Sequence, residues 1–255
     1  MENAKESIFD CGIDAVSWSQ VEHQIKDAVE SGKGHYITVC NVHSVVTART
    51  NRSLKEAING ALLAVPDGMP LVWLLKRRGT TEQTRINGPD LMLRICKQAA
   101  DAGWPIFLFG GREDVLARLT ARLRAQYPTL TIAGAESPPF RQLSDEEDSA
   151  FCMRMRESRA RVIFVGLGCP KQEEWIARNH QKTPGVMIGV GAAFDYHAGV
   201  VKRAPKWMQE AGLEWLARLA AEPRRLFRRY FVTNSIFLGR YGFELISPTK
   251  PISKN

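Results

Sequence analysis

The sequence predicts an α/β fold: a parallel β-sheet with helices on both faces, followed by a helical C-terminal appendage. Three observations in its 255 residues carry that expectation. Short apolar runs alternate with segments of helical periodicity, the pattern of strands joined by crossover helices. Several of these runs end in glycine- or proline-containing turns, where such sheets gather their binding loops. After Gly199 the alternation stops and a Trp-, Leu- and Arg-rich helical sequence takes over.

Taken in order, Ser17 or Ser19 caps a helix through about residue 32, and 35–40 is β-rich. A helical stretch over about 43–59 and a strand at 61–65 follow. The next helix spans about 89–102 and precedes the apolar run 105–109, which ends in Gly110-Gly111 and leads into a helix at 113–126. Residues 130–133, 161–165 and 186–190 are further short strands, separated by helices at 145–158 and 172–180. Pro205 and Pro223 suit first-turn positions of two helices. The division therefore falls near 196–204, giving a core of 1–199 and an appendage of 200–255.

Composition narrows the function classes. With 44% hydrophobic and 24% charged residues the chain can bury a sizeable core. Residues 1–10 carry Glu2, Glu6 and Asp10 and do not read as a secretory signal. The longest uncharged apolar stretches, such as 186–194, fall far short of the ~20 residues that span a bilayer. The expectation is a cytosolic or peripheral protein. Five scattered cysteines without a CxxC pair read as reduced, buried thiols. Of the net charge of +8, +7 lies in residues 200–255, which points that end toward an anionic surface or ligand.

Four strand ends carry chemistry: Thr38-Val39-Cys40-Asn41, Pro66-Asp67-Gly68, Phe109-Gly110-Gly111, and the run from Gly166 to Glu173. Sheet geometry brings such ends to one edge. Asp67, in apolar surroundings, is a candidate base, with capping of a helix beginning at Met69 as its bland alternative. Gly166-x-Gly168 before a helix is half of a dinucleotide fingerprint, but Lys171 stands where the third glycine belongs. Glycines for close backbone approach, a helix N-terminus and Lys171 together suit a diphosphate, unless the segment is only a tight turn. No Asp-x-Asp occurs, the run 145–148 reads as an acidic first helical turn, and the five histidines form no HExxH pattern, so neither a catalytic metal nor a cofactor is expected. In the appendage, five arginines among residues 218–229 share much of one helix side, interleaved with Leu226, Phe227, Tyr230 and Phe231; anion binding is favoured over a merely solvated face.

Together, Asn41-Val42-His43, Val65-Pro66-Asp67-Gly68, Arg85-Ile86-Asn87-Gly88-Pro89-Asp90-Leu91-Met92, Gly166-Leu167-Gly168-Cys169-Pro170-Lys171-Gln172-Glu173, Gly189-Val190-Gly191-Ala192-Ala193-Phe194-Asp195 and Arg203-Ala204-Pro205-Lys206-Trp207-Met208 resemble the WecG/TagA/CpsF family of bacterial glycosyltransferases. The run from Gly212 to Arg225 completes the series. The resemblance implies an inverting, metal-independent transferase with a Rossmann-like core. It would move a sugar from a UDP-sugar donor to an undecaprenyl-diphosphate-linked saccharide at the cytoplasmic membrane face. Relatives use N-acetylmannosamine, its uronic acid or glucose. By the same resemblance Asp67 matches the base, Asn41 and Gln172 match polar active-site positions, Arg85 lies in a motif near the pocket, and Arg218, Arg225 and Arg228 match appendage arginines that stabilise the leaving group. Many relatives have a threonine where this chain has Val39. Thr38, one residue earlier, is a substrate-contact candidate that a regular strand turns to the opposite face.

The implied partners are the UDP-sugar, a lipid-linked saccharide acceptor and an anionic membrane surface, with self-association left open. Two rival function classes stand beside this reading. A dinucleotide-dependent oxidoreductase is weakened by Lys171, and a nucleic-acid-binding module by the neutral body and by the absence of any helix-turn-helix, RNP or zinc pattern.

Overall fold

A computed structural model describes residues 5–246. The chain opens with an antiparallel hairpin, β1 (Lys5–Ile8) and β2 (Cys11–Asp14). These four-residue strands are too short to show a period, so the sequence pattern does not announce them. β2 flanks the sheet edge, where Asp14 Oδ2 accepts a bond from the Ala64 amide at 2.7 Å.

Helix α1 (Trp18–Glu30) starts from Ser17 in a capping box with Gln20 and buries Val21, Ile25, Ala28 and Val29 at helical spacing. After β3 (Gly34–Cys40), the helix expected over 43–59 is two helices, α2 (Val42–Ala48) and α3 (Arg52–Asn59). The break comes at Asn51, whose side chain accepts from the Leu54 amide and begins a new helix. β4 (Leu63–Pro66) leads through Asp67 into α4 (Met69–Arg77).

Asn87 caps α5 (Gly88–Ala102), and then β5 (Ile106–Gly110), α6 (Glu113–Gln126), β6 (Ile132–Glu136) and α7 (Asp145–Glu157) alternate as expected, β6 lying slightly later than the apolar run suggested. The acidic start of α7 is structural, as Asp148 is buried and accepts from Trp175 Nε1 at 2.6 Å. β7 (Val162–Gly166), α8 (Lys171–Asn179), β8 (Gly185–Gly189) and α9 (Ala193–His197) complete the alternation. Three helices follow rather than two: α10 (Lys206–Glu210), α11 (Glu214–Ala221) and α12 (Pro223–Ile246). Pro223 opens α12 as expected, while Pro205 sits one position before α10.

The six strands β3 to β8 form one parallel sheet in the order β4-β3-β8-β7-β5-β6, consistent with a Rossmann-like fold. Alternate residues feed opposite faces. Ile37, Leu63, Leu108, Phe164 and Ile188 pack against α1, α5 and α6. Phe107, Phe109, Ile163, Val165 and Met187 pack against α7 and α8. A third cluster, around Cys40, Val45, Leu54 and Leu71, takes in Phe237 of α12, so the C-terminal helices are seated on the core through α2. The chain runs outward from β3 to β4 and then crosses to β5 on the far side. Strand order thus reverses around β8, and the carboxyl ends there flank a crevice.

Candidate active site

A cleft of about 1520 Å³ opens at that crevice, floored by the ends of β3, β4, β7 and β8 and walled by α11 and α12. Asn41, Asp67, Arg85, Gly166, Gly168, Lys171, Gln172 and Arg218 all line it, so most of the residues singled out in the sequence converge here.

Asp67 does not cap α4, because Gly68 holds the cap position with no side-chain bond. Its amide donates to the Cys40 carbonyl at 2.7 Å, tying the end of β4 to the end of β3. Arg85 donates through Nε to the Asp67 main-chain carbonyl and through Nη2 to Asp67 Oδ1 at 2.9 Å. Burial pushes the Asp67 carboxyl above the usual carboxylate range; Arg85 opposes the rise and Glu214 adds to it. Arg85 itself is held charged: burial would lower its pKa, but Asp67 and Glu214 more than offset that.

Asn41 caps α2, its Oδ1 accepting from the Ser44 amide at 3.2 Å. The cap fixes the side chain at the cleft floor and leaves the Nδ2 donors uncommitted among the described residues. Gln172 is buried and engaged at both ends, accepting from the Gly191 amide at 3.1 Å and donating to Glu173 Oε1 at 2.8 Å. It stitches the first turn of α8 to the loop after β8. Pro170 provides no side-chain cap for α8; the Gln172 amide donates instead to the Gly168 carbonyl at 3.0 Å and the Glu174 amide to the Pro170 carbonyl at 3.2 Å.

Gly168 has φ +77°, a backbone state that favours glycine. Gly110, at φ +115°, lies outside the cleft lining; a Cβ there would meet the Gly166 carbonyl at 2.6 Å, so this glycine serves the close approach of β5 to β7. The adjacent Gly111 lines the cleft instead. Thr38 is fully buried beneath the site, accepting from Cys40 Sγ, and Val39 takes the cleft face, as strand alternation requires.

From the C-terminal helices, Arg218 lies over the Tyr196 ring at 5.7 Å and 3.8 Å from Glu222. Arg229 lines the cleft, whereas Arg228 is exposed and lies outside the lining. Adjacent helical residues differ by about 100° in direction, so helix phase decides between them. The side chain of Arg225 lies outside the described residues.

The structure also brings His43, Glu173, Tyr196, Glu214 and Tyr230 to the cleft. His43 lines the cleft, and burial, with Arg229 nearby, pulls its pKa down to about 4, so the ring is neutral. Burial raises Glu173 to about 7, and among the described residues its Oε2 has no hydrogen-bond partner. Burial likewise raises Tyr196, to about 12, and Tyr230. Glu214, from α11, reaches Arg85 Nη2 at 2.7 Å. His43, Glu173 and Glu214 all stand inside the motif runs, but nothing local in the sequence tells that Glu214 reaches Arg85.

Among the described residues no three His, Cys, Asp or Glu side chains converge as a metal site, and no helix is long and apolar enough to cross a membrane. The sequence from residue 6 to residue 251 matches the family model described as the Glycosyl transferase WecG/TagA/CpsF family.

Proposed function

The chain belongs to the WecG/TagA/CpsF family of glycosyltransferases, and from that membership we propose that it moves a hexose-type sugar from a UDP-sugar to an undecaprenyl-diphosphate-linked saccharide in cell-surface polysaccharide synthesis. The observation that carries this reading is a carboxylate, Asp67, fixed at the floor of a large cleft whose walls supply guanidinium groups.

In the proposed reaction, Asp67 takes the proton from the acceptor hydroxyl as that oxygen attacks the anomeric carbon from the face opposite UDP. The bond from that carbon to the diphosphate oxygen breaks, the electron pair leaves with UDP, and configuration inverts through an oxocarbenium-like state. Charge developing on the leaving diphosphate is met by Arg218, Arg225 or Arg229, with Gly168, beside which no atom lies within 4 Å of a Cβ position, permitting close backbone approach. Lys171 is a further cation at the start of α8, and Asn41 is placed to orient a sugar hydroxyl. Gln172 supports the site by holding the loop after β8.

Residues 1–199 are proposed as the transferase core and 200–255 as an appendage that completes the site and meets the membrane. Phe227 and Phe231 stack at 6.0 Å on the outside of α12, 61% and 65% exposed, beside Arg224 and Arg228. Exposed aromatics interleaved with arginines suit an anionic lipid surface on the side where the lipid-borne acceptor arrives.

The test is UDP release over a panel of UDP-sugars with a lipid-diphosphate-saccharide acceptor. Acceptor-dependent release with one donor is expected. No release with any donor, together with tight nicotinamide-cofactor binding, would replace this reading by the oxidoreductase alternative.

A further inference from the structure

We propose that Glu214 is a positioning residue that adds to the basicity of Asp67, beyond the effect of burial, by sharing Arg85 with it. The proposal rests on the reading of Asp67 as the base.

Arg85 Nη2 stands between two carboxylates, 2.9 Å from Asp67 Oδ1 and 2.7 Å from Glu214 Oε2. Glu214 is itself buried at 9% exposure, and its other oxygen lies 3.4 Å from Arg203 Nε. Arg203 is committed in turn to Asp90 and to Asn87 Oδ1, the latter at 3.0 Å. A chain of alternating charge thus runs from Asp67 through Arg85, Glu214 and Arg203 to Asp90, fixing Glu214 in place.

A carboxylate gripped by an arginine of its own is a poor base, because the contact pair favours its charged form. A second carboxylate on the same guanidinium divides that field and adds its own negative charge near Asp67. The proton affinity of Asp67 therefore rises. The groups that bear on Asp67 are Arg85, Arg203 and Glu214, with Tyr196 of α9 and Tyr230 of α12 lining the same cleft and Arg218 over the Tyr196 ring. The arginines stay charged, and burial raises both phenols. Glu214 is the element of this set that supplies a competing negative charge.

Glu214 belongs to α11, whereas Asp67 and Arg85 belong to the core. With α11 seated, Asp67 is a shared and more basic carboxylate. With α11 displaced, Arg85 closes on Asp67 alone. The C-terminal helices thereby contribute a switch on the base besides their arginines, and transfer is tied to their docking.

The experiment uses the full-length chain with a detergent-soluble acceptor, measuring kcat against pH and UDP affinity in parallel. Glu214→Gln is expected to move the acidic limb of the profile down by about one pH unit and to lower the plateau about threefold, with UDP affinity unchanged. An unmoved limb, whatever the plateau, shows that Glu214 only tethers α11 and overturns the proposal. If Glu214→Gln does not fold, Glu214→Asp, which keeps the charge but retracts it from Arg85, must move the limb in the same direction, and an unmoved limb there is equally decisive. Asp67→Asn separates the two readings: normal turnover in that variant removes the base itself, while an inactive Asp67→Asn with an unmoved limb in the Glu214 variants sinks only the sharing of Arg85.

Discussion

Arg85 holds Asp67 at two points, the main-chain carbonyl and Oδ1, so that the carboxylate is oriented by its backbone as well as by its charge partner. Oδ2 makes no hydrogen bond among the described residues. A carboxylate so held presents one oxygen for proton transfer while the other is anchored. Asp67→Asn preserves the anchored oxygen and removes the basicity. It is expected to lower turnover by roughly 10²-fold or more, with UDP affinity nearly intact. Turnover and calorimetric UDP binding measured on the same preparation check this, and turnover within a few-fold of the parent would remove Asp67 as the base.

The sequence has no Asp-x-Asp, and the cations lining the cleft are side chains, among them Lys171, Arg218 and Arg229. Transfer is accordingly expected to persist in excess EDTA. Loss of UDP release in EDTA, restored by Mg²⁺ or Mn²⁺, would show that the leaving diphosphate depends on a divalent ion.

The stacked, exposed Phe227 and Phe231 offer an apolar surface that no described residue covers well. The double variant Phe227→Ser, Phe231→Ser is predicted to reduce co-sedimentation with anionic vesicles roughly tenfold while keeping transfer to a detergent-soluble acceptor. Unchanged vesicle binding would relocate the membrane contact to another part of the molecule.

Glu173 gives a pH-dependent stability prediction. Burial raises its folded-state pKa from 4.5 to about 7, so folding favours the protonated acid. The stability this contributes is full below the unfolded value and is lost as pH rises through about 7. Glu173→Gln, neutral at every pH, should therefore gain on the parent as pH rises from 5 to 8, by at most on the order of 3 kcal/mol. Thermal melts of both proteins across that range provide the check. A constant difference in Tm would mean that Glu173 does not titrate there.

Much of the frame was legible because it is written in local chemistry. Ser17, Asn87 and Ser144 cap helices through side-chain bonds spanning three residues, a distance a sequence displays directly. The strands of the parallel sheet are short apolar runs bounded by turns, and Pro66-Asp67-Gly68 and Gly166-x-Gly168 mark where those strands end. Asn51 breaking one helix into two was equally local but was masked by an apolar period continuing across it. The hairpin at residues 5–14 was not legible, since its strands are held by β4 and α3 rather than by a pattern of their own.

The sequence by itself determined the family, the alternation that builds the sheet and the presence of Asn41, Asp67 and Lys171 at strand ends, because each depends on periodicity or turn chemistry within a few residues. Only the tertiary structure decided that Arg229 rather than Arg228 lines the cleft, that Gly110 serves strand packing, and that Gln172 braces a loop. It alone brought Glu214 to the guanidinium that grips Asp67. Such outcomes depend on helix phase and on the packing of elements far apart in the chain, and a side chain's direction and charge partner are fixed only when those surfaces meet.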